Sequence, residues 1–405
     1  MKIGKFAETN NLTIDTVRHY MDMNLIIPEK QGGQYNFDSR CEQDLEYILS
    51  LKAMGFSLGE IKAIFMFNRL GNLTQYEENE CFRALFKNKA KNLETQIEDL
   101  SEMKRKVEEK LNELSKTENK NKTLLGINFN VLNLFKCLKC GSDMQLSQGS
   151  IANNQVINGK LRCSCGKEYT IENGILMITN SKIASSIKYD FNHIVNYISD
   201  TNMDYLDHLY RGMDWLHKKI DFSTFKNKVI LELGSGLGFF LRSIYENLPE
   251  DSIYIAVDHD INRHIFLKNI LETVDYKKNI LFICSDFQQI PIKDKSIDVV
   301  LDISGTSNYS FHNEEFLLKV VDNYINETTY LVGTYILFKN FAQNSLIEPK
   351  YRKNFIASNI KNQLSSLNYN AFEENTSNFV EKGGRYENYF RDGEKVYSYF
   401  VLGKR

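Results

Sequence analysis

The sequence predicts a multidomain chain of α + α/β class, and three stretches carry that prediction. Val229 to Gly238, VILELGSGLG, sets an apolar run fit for a buried parallel strand before glycines at alternate positions, and an amphipathic run follows. Glu80 to Lys116 holds neither Gly nor Pro and repeats apolar residues at heptad spacing. The first 78 residues alternate short helical runs with tight turns. At 405 residues the chain fits two or three domains. The boundaries read as 1–78, 79–118, 130–180 and 185–405. Hydrophobic content of 42% and charged content of 25% are those of a soluble globular protein. No apolar run approaches the ~18–20 residues that span a bilayer. The opening MKIGKFAETNN lacks the apolar region of a signal peptide. Seven cysteines, four of them clustered, suit a reducing compartment and a metal site. The expected location is therefore the cytoplasm, with no membrane partner.

Ile3-Gly4-Lys5-Phe6-Ala7 opens a short helix, Asn10-Asn11-Leu12 turns, and Thr13 caps a second helix through Tyr20. Helix, short turn, helix is the helix-turn-helix arrangement, whose second helix enters the major groove. Pro28 breaks the helix, and Gly32-Gly33-Gln34-Tyr35-Asn36-Phe37 reads as a two-stranded wing. Two further helices follow from Asp44, broken at Gly55-Phe56-Ser57 with Ser57 as cap. The pieces IGKFA, TVRHY, NLIIP, GGQYNF and DLEYILSLKAMGFSLGEIK resemble the DNA-binding domain of the MerR family of transcriptional regulators. The resemblance implies DNA contacts from Thr16, Arg18, His19, Tyr20 and Tyr35. It also implies double-stranded DNA with a pseudo-palindromic promoter operator, and RNA polymerase at that promoter. Where the family wing carries an arginine, this chain reads Gln34-Tyr35-Asn36. Residues 1–78 carry eight Lys and Arg against eleven Asp and Glu. Phosphate contacts dominate DNA affinity, so few of them are expected here.

In the long helix, Phe86, Ala90, Leu93, Ile97, Leu100, Lys104, Val107, Leu111 and Leu114 fall four and three apart. That narrow seam needs a partner helix. The MerR resemblance supplies one, a symmetry mate paired antiparallel, so a homodimer through residues 80–116 is expected. Cys81 stands at the start of this helix with no further cysteine before Cys137.

Thr117–Lys122 is polar and reads as a linker. Cys137-Leu138-Lys139-Cys140-Gly141 and Cys163-Ser164-Cys165-Gly166 then pair close cysteines with a following glycine. Thiolates at such spacing hold zinc tetrahedrally, and four of them leave no open position, so the metal is expected to be structural. The whole reads as a small zinc ribbon. Lys167 to Leu176 is similar to the tail of ribbons found ahead of some methyltransferases, the large-subunit rRNA guanine enzymes among them.

After the glycine turn, strands are expected at 252–257, ending before Asp258, at 280–284 and at 297–301, with a last strand at 396–402. The phrases ELGSGLG, VD, DFQQIPI and IDVVLD resemble, in order, the motifs of class I S-adenosylmethionine-dependent methyltransferases. That family is Rossmann-like, with a mostly parallel seven-stranded sheet. A nicotinamide fold wants Gly-x-Gly-x-x-Gly, and position 239 is Phe. The resemblance implies that Glu232, Gly234, Gly236 and Gly238 hold the methionine part of the cofactor. It puts Asp258 on the ribose and Asp286 with Phe287 beside the adenine. Asp302, Asn308 and Tyr309 are the candidates for substrate contact. Neither an Asp/Asn-Pro-Pro-Tyr/Phe motif nor a Pro-Cys nucleophile is present, so the DNA-base chemistries lose support. The expected protein is a MerR-type regulator whose C-terminal domain binds S-adenosylmethionine and methylates a small molecule or other acceptor. Two alternatives stay open: a regulator that senses the cofactor or a ligand without turnover, and an RNA methyltransferase with an accessory DNA-binding arm.

Overall fold

The computed structural model describes residues 1–71, 74–115, 122–178 and 188–405. The linker Thr117–Lys122, except its last residue, lies outside the described residues, as do the ends of the segments 79–118, 130–180 and 185–405 nearest positions 118, 180 and 185. The chain forms two compact units, Met1–Glu118 and Asn119–Arg405.

In the first unit, α1 (Ile3–Thr9) and α2 (Ile14–Asp22) flank the Asn10–Leu12 turn, and Thr13 caps α2 as its sequence position predicts. The wing pairs β1 (Glu29–Gln31) with β2 (Gln34–Asn36), antiparallel across Gly32 and Gly33. Next come α3 (Ser39–Ala53) and α4 (Leu58–Leu70), the latter opened by a reciprocal Ser57–Glu60 capping box. Phe6, Val17, Tyr20, Leu45, Ile48 and Ile61 meet in one core. Helix α5 (Gln75–Ser115) runs 41 residues and starts earlier than the heptads do. Thr74 and Glu77 bond reciprocally there, which caps it. Its first turns pack on its own domain: Phe86 meets Phe56 and Phe82 meets Phe67. The rest of the seam is bare, from 37% exposure at Leu93 to 64% at Leu100.

The second unit is built on one twelve-stranded sheet. Its ribbon part is β3 (Ile127–Asn128), β4 (Gln145–Ala152), β5 (Gln155–Arg162), β6 (Glu168–Glu172) and β7 (Ile175–Met177). Helices α6 (Phe191–Asp200) and α7 (Met203–Lys219) follow. Then β8 (Val229–Leu233), α8 (Phe239–Ile244), β9 (Ile253–Asp258), α9 (Ile261–Leu271), β10 (Ile280–Cys284) and β11 (Ile297–Ile303) alternate strand with helix or turn. The chain closes with α10 (Gly305–Ser310), α11 (Leu317–Val320), β12 (Ile325–Phe338), α12 (Ala357–Ser366), β13 (Asn370–Thr376) and β14 (Val396–Lys404). The order β13-β14-β12-β11-β8-β9-β10 is parallel except at β14, which runs antiparallel to both its neighbours. Strand order reverses between β8 and β11, where open α/β sheets bind ligands.

The ribbon does not stand apart from this sheet. Strand β7 pairs in parallel with β10, Phe282 opposite Ile175, so the ribbon strands continue the sheet at its far edge. One core holds Val131, Cys137 and Tyr169 together with Leu231, Ile255 and Leu281. No described helix is long and apolar enough to cross a membrane.

Candidate functional site

Helix α2 is shaped by its cap. The Thr13 hydroxyl accepts from Thr16 N–H at 3.1 Å, and the two hydroxyls lie 2.8 Å apart. Thr16 is thereby spent on the helix end and is half-buried. Arg18 and His19 point outward, and Arg18 reaches Asp15 at 3.2 Å. So exposed an ion pair contributes little, which leaves the guanidinium available to phosphate. Tyr20 departs from its expected place. It shares the inner face of α2 with Val17, three positions earlier, and is 1% exposed in the core, its hydroxyl 3.3 Å from Lys52 Nζ. Tyr35 stands out on the wing. Directly opposite it in register is Lys30, its Nζ 5.8 Å from the ring centroid. Lys30 supplies the wing cation that the sequence reading missed. The signal lay in the two-glycine turn, whose register pairs 30 with 35.

The four ribbon thiols converge. The Sγ atoms of Cys137, Cys140, Cys163 and Cys165 all lie within 4.8 Å of one another. Cys140 and Cys163 are 3.3 Å apart, and Cys137 and Cys165 are 3.6 Å apart. A tetrahedral zinc with bonds of ~2.3 Å would hold its sulfurs about 3.8 Å apart, so the donor set fits that ion. Gly141 N–H donates to Cys137 O and Gly166 N–H to Cys163 O, closing the two knuckle turns. Cys81 is not part of this group.

At the carboxyl ends of β8 to β11 lies a cleft of about 510 Å³. The turn after β8 takes left-handed backbone at Gly234, Gly236 and Gly238. At Gly238 a Cβ would meet Leu267 at 2.3 Å, so only glycine lets α8 and α9 close together. Asp258 ties the turn down: one oxygen accepts from Gly236 N–H at 3.0 Å, the other from Asp260 N–H at 2.9 Å. Arg263 lies 3.4 Å from the same carboxylate. Asp286 caps the turn that carries Phe287, whose ring meets Tyr309 edge-on at 6.5 Å. Gly234, Asp258, Asp286, Phe287, Asn308 and Tyr309 all line the cleft.

Glu232, Gly236, Gly238 and Asp302 do not line it. Glu232 is 2% exposed just behind the glycine turn, and its Oε2 makes no aligned hydrogen bond. Burial, helped by the Asp258 charge, pushes its carboxyl up to about 7, while the nearby Tyr254 hydroxyl works the other way. Asp302 departs from its expected role. It is fully buried, accepts from both N–H and hydroxyl of Thr306, at 2.7 and 2.5 Å, and so fastens the start of α10. Arg263, His259, His312 and Asn313 line the cleft without having been expected there. Arg263 was legible in principle, three positions after the α9 cap Asp260.

A cofactor with ribose hydroxyls, a flat base and an ammonium group meets fitting partners here. The Asp258 carboxylate faces the cleft, Phe287 and Asp286 flank it, and the orphaned Glu232 oxygen lies behind the glycine turn.

Comparison with known proteins finds different relatives for the two ends of the chain. The second unit is similar to a SAM-dependent methyltransferase from Aquifex aeolicus, 16% identical, covering 53% of this chain and 99% of that one at a TM-score of 0.35. It is also similar to an S-adenosylmethionine-dependent methyltransferase from Mesorhizobium loti, 11% identical, covering 47% and 96% at a TM-score of 0.32. Residues 1–66 match the MerR HTH family regulatory protein description, and residues 43–114 match MerR, DNA binding. The HTH-type transcriptional regulator HmrR of Rhizobium leguminosarum bv. viciae is 26% identical over 113 residues, 27% of this chain and 81% of that protein. The HTH-type transcriptional regulator ZntR homolog of Haemophilus influenzae is 30% identical over 109 residues, 26% of this chain and 78% of that protein. With a capped recognition helix, a wing and a long helix in the matched region, the chain belongs to the MerR family of helix-turn-helix regulators.

Proposed function

We propose that this protein is a dimeric transcriptional regulator whose second unit binds S-adenosylmethionine and transfers its methyl group to a small-molecule acceptor. One observation carries the cofactor reading. A left-handed glycine turn at the sheet's switch point is tied by Gly236 N–H to an acid, Asp258, that faces a cleft of about 510 Å³. When bound, the cofactor supplies a methyl group on a sulfonium, ready for in-line displacement. The chain's residues bind and orient. Asp258 takes hydroxyls, Phe287 packs on the base, and the ammonium end lies over the glycine turn, in the field of the Glu232 carboxylate behind it. Alignment supplies much of the rate in such a displacement, so the burial of Asp302 removes no required acid or base. The four thiolates hold a structural zinc, which fixes the ribbon whose strand β7 pairs at the sheet edge.

In the first unit, Arg18, His19, Tyr35 and Lys30 face the operator. The exposed seam from Leu93 to Leu111 pairs with a second copy, which sets two recognition helices on a two-fold operator. RNA polymerase is the expected reader of that complex. Titration calorimetry with S-adenosylmethionine, beside footprinting on the protein's own promoter, tests both halves. A cofactor-sensing regulator without turnover is the reading left if binding is found and no methylated product appears.

A further inference from the structure

Near segments that line the cleft lies a carboxylate that no cation among the described residues balances. Glu387 sits in the excursion between β13 and β14. Its Oε1 accepts from Tyr197 hydroxyl at 2.7 Å and its Oε2 from Tyr205 hydroxyl at 3.2 Å. Tyr389 hydroxyl stands 2.8 Å from that of Tyr205. Burial raises the Glu387 carboxyl, the two tyrosine hydrogen bonds lower it, and no positive group among the described residues offsets the burial. The adjacent Arg385 is spent elsewhere, 3.5 Å from Asp200 and over the Tyr386 ring. A half-buried charge without a counterion is costly.

The surroundings say what would balance it. Tyr197 meets Phe239 at 5.8 Å and Tyr386 at 5.7 Å between ring centroids. Tyr389 meets Phe311 at 5.4 Å. Phe239 directly follows the glycine turn, and Phe311 directly precedes the cleft-lining His312. The acidic, aromatic patch therefore adjoins two of the segments that line the cleft. Tyr197, Tyr386, Glu387 and Tyr389 are half-buried, and Phe239 is exposed. Aromatic faces around a carboxylate attract organic cations.

We infer that Glu387, with Tyr197, Tyr205 and Tyr389, recognises the ammonium group of an amine acceptor. This rests on the methyltransferase reading and gives it a substrate class. The carboxylate holds the ammonium and takes its proton: an N–H bond breaks, an O–H bond forms, and the nitrogen keeps the lone pair that methyl transfer needs.

The test is calorimetry on the full chain with 2-phenylethylamine and its neutral isostere 2-phenylethanol, with S-adenosylmethionine titrated separately. The amine is expected to bind about tenfold more tightly than the alcohol, a preference of the size cation recognition supplies. Glu387→Gln should erase that preference and leave cofactor binding unchanged. Glu387→Asp, which keeps the charge but draws it back from the tyrosine hydroxyls, should cut the preference severalfold, and an undiminished preference there also overturns the inference, so it stays open to test if Glu387→Gln fails to fold. Equal binding of amine and alcohol to wild type overturns the inference. So does a Glu387→Gln variant that keeps the preference, or one that loses cofactor affinity in step, which would give Glu387 to the cofactor. Wild type that binds neither cofactor nor amine fails on both counts. Wild type that binds the cofactor but shows no amine preference sinks this inference alone.

Discussion

The two units handle apolar surface in opposite ways. In the second, apolar strands such as Ile230-Leu231 and Tyr254-Ile255-Ala256-Val257 are sealed on both faces, and even the ribbon is stitched into the same sheet. In the first, α5 buries Phe86 against its own domain and then leaves Ile97, Leu100, Val107, Leu111 and Leu114 about 60% exposed. One unit is finished by its own chain. The other carries an apolar seam that its own unit leaves exposed, the surface on which the proposed dimer rests.

The largest effect should come from breaking that unfinished surface. Replacing Ile97 and Leu100 with Asp should leave a monomer by analytical ultracentrifugation and abolish operator binding. Each buried Leu or Ile contributes about 1.5–3 kcal/mol, and a symmetric pair loses the contribution twice. Cofactor binding in the second unit should not change, and a loss there would erase the contrast drawn above.

Next in size is the metal. Cys137→Ser, or chelation, should lower the melting temperature of the whole second unit, because the ribbon shares a core with Leu231 and Ile255. Metal analysis should find about one zinc per chain. Local loss of the ribbon, with the remaining sheet melting as before, would show two bodies where the strand pairing shows one.

Asp258→Ala should weaken S-adenosylmethionine binding by about 1.5–3 kcal/mol, the cost of hydrogen bonds to a charged group. It also frees Gly236 N–H, so part of that loss comes from a slackened glycine turn.

Smaller still is a pH effect of opposite sign on stability and on binding. The folded-state pKa of Glu232, raised to about 7, exceeds its ordinary value. Its contribution to stability is therefore full below the usual carboxylate range and is lost as pH rises through about 7. Cofactor affinity should rise over the same window, since an ammonium prefers the carboxylate. Asp302, pushed up to about 6 by burial, adds to the stability trend but should not affect binding. Glu232→Gln should flatten the affinity profile, which isothermal titration at several pH values would show. In the first unit, Arg18→Ala should weaken operator binding modestly, and Lys30→Ala less.

What the sequence made legible follows from the range of the forces involved. Thr13, Ser57 and the Gly234–Gly238 turn act within a few residues, so their roles could be read from spacing. The four cysteines could be read because thiolate ligation of a metal asks for close pairs, and the four thiols do converge. Tyr20 and Asp302 were placed on binding faces by resemblance, yet local helix phase turns one inward and a hydrogen bond to Thr306 holds the other inside. The pairing of β7 with β10 and the meeting of Tyr197 with Glu387 join positions more than a hundred residues apart, which no local pattern announces.

The central claim is that one chain carries both an operator-reading unit and a cofactor-binding unit. The most direct measurement is calorimetric titration of S-adenosylmethionine into the full-length dimer already bound to its own promoter fragment. The account predicts saturable binding in the second unit while the DNA stays bound, with Asp258→Ala weakened in the same complex and the Ile97/Leu100 variant, measured free of DNA, unaltered in cofactor affinity. No heat at millimolar cofactor from wild-type protein that holds its promoter would contradict it.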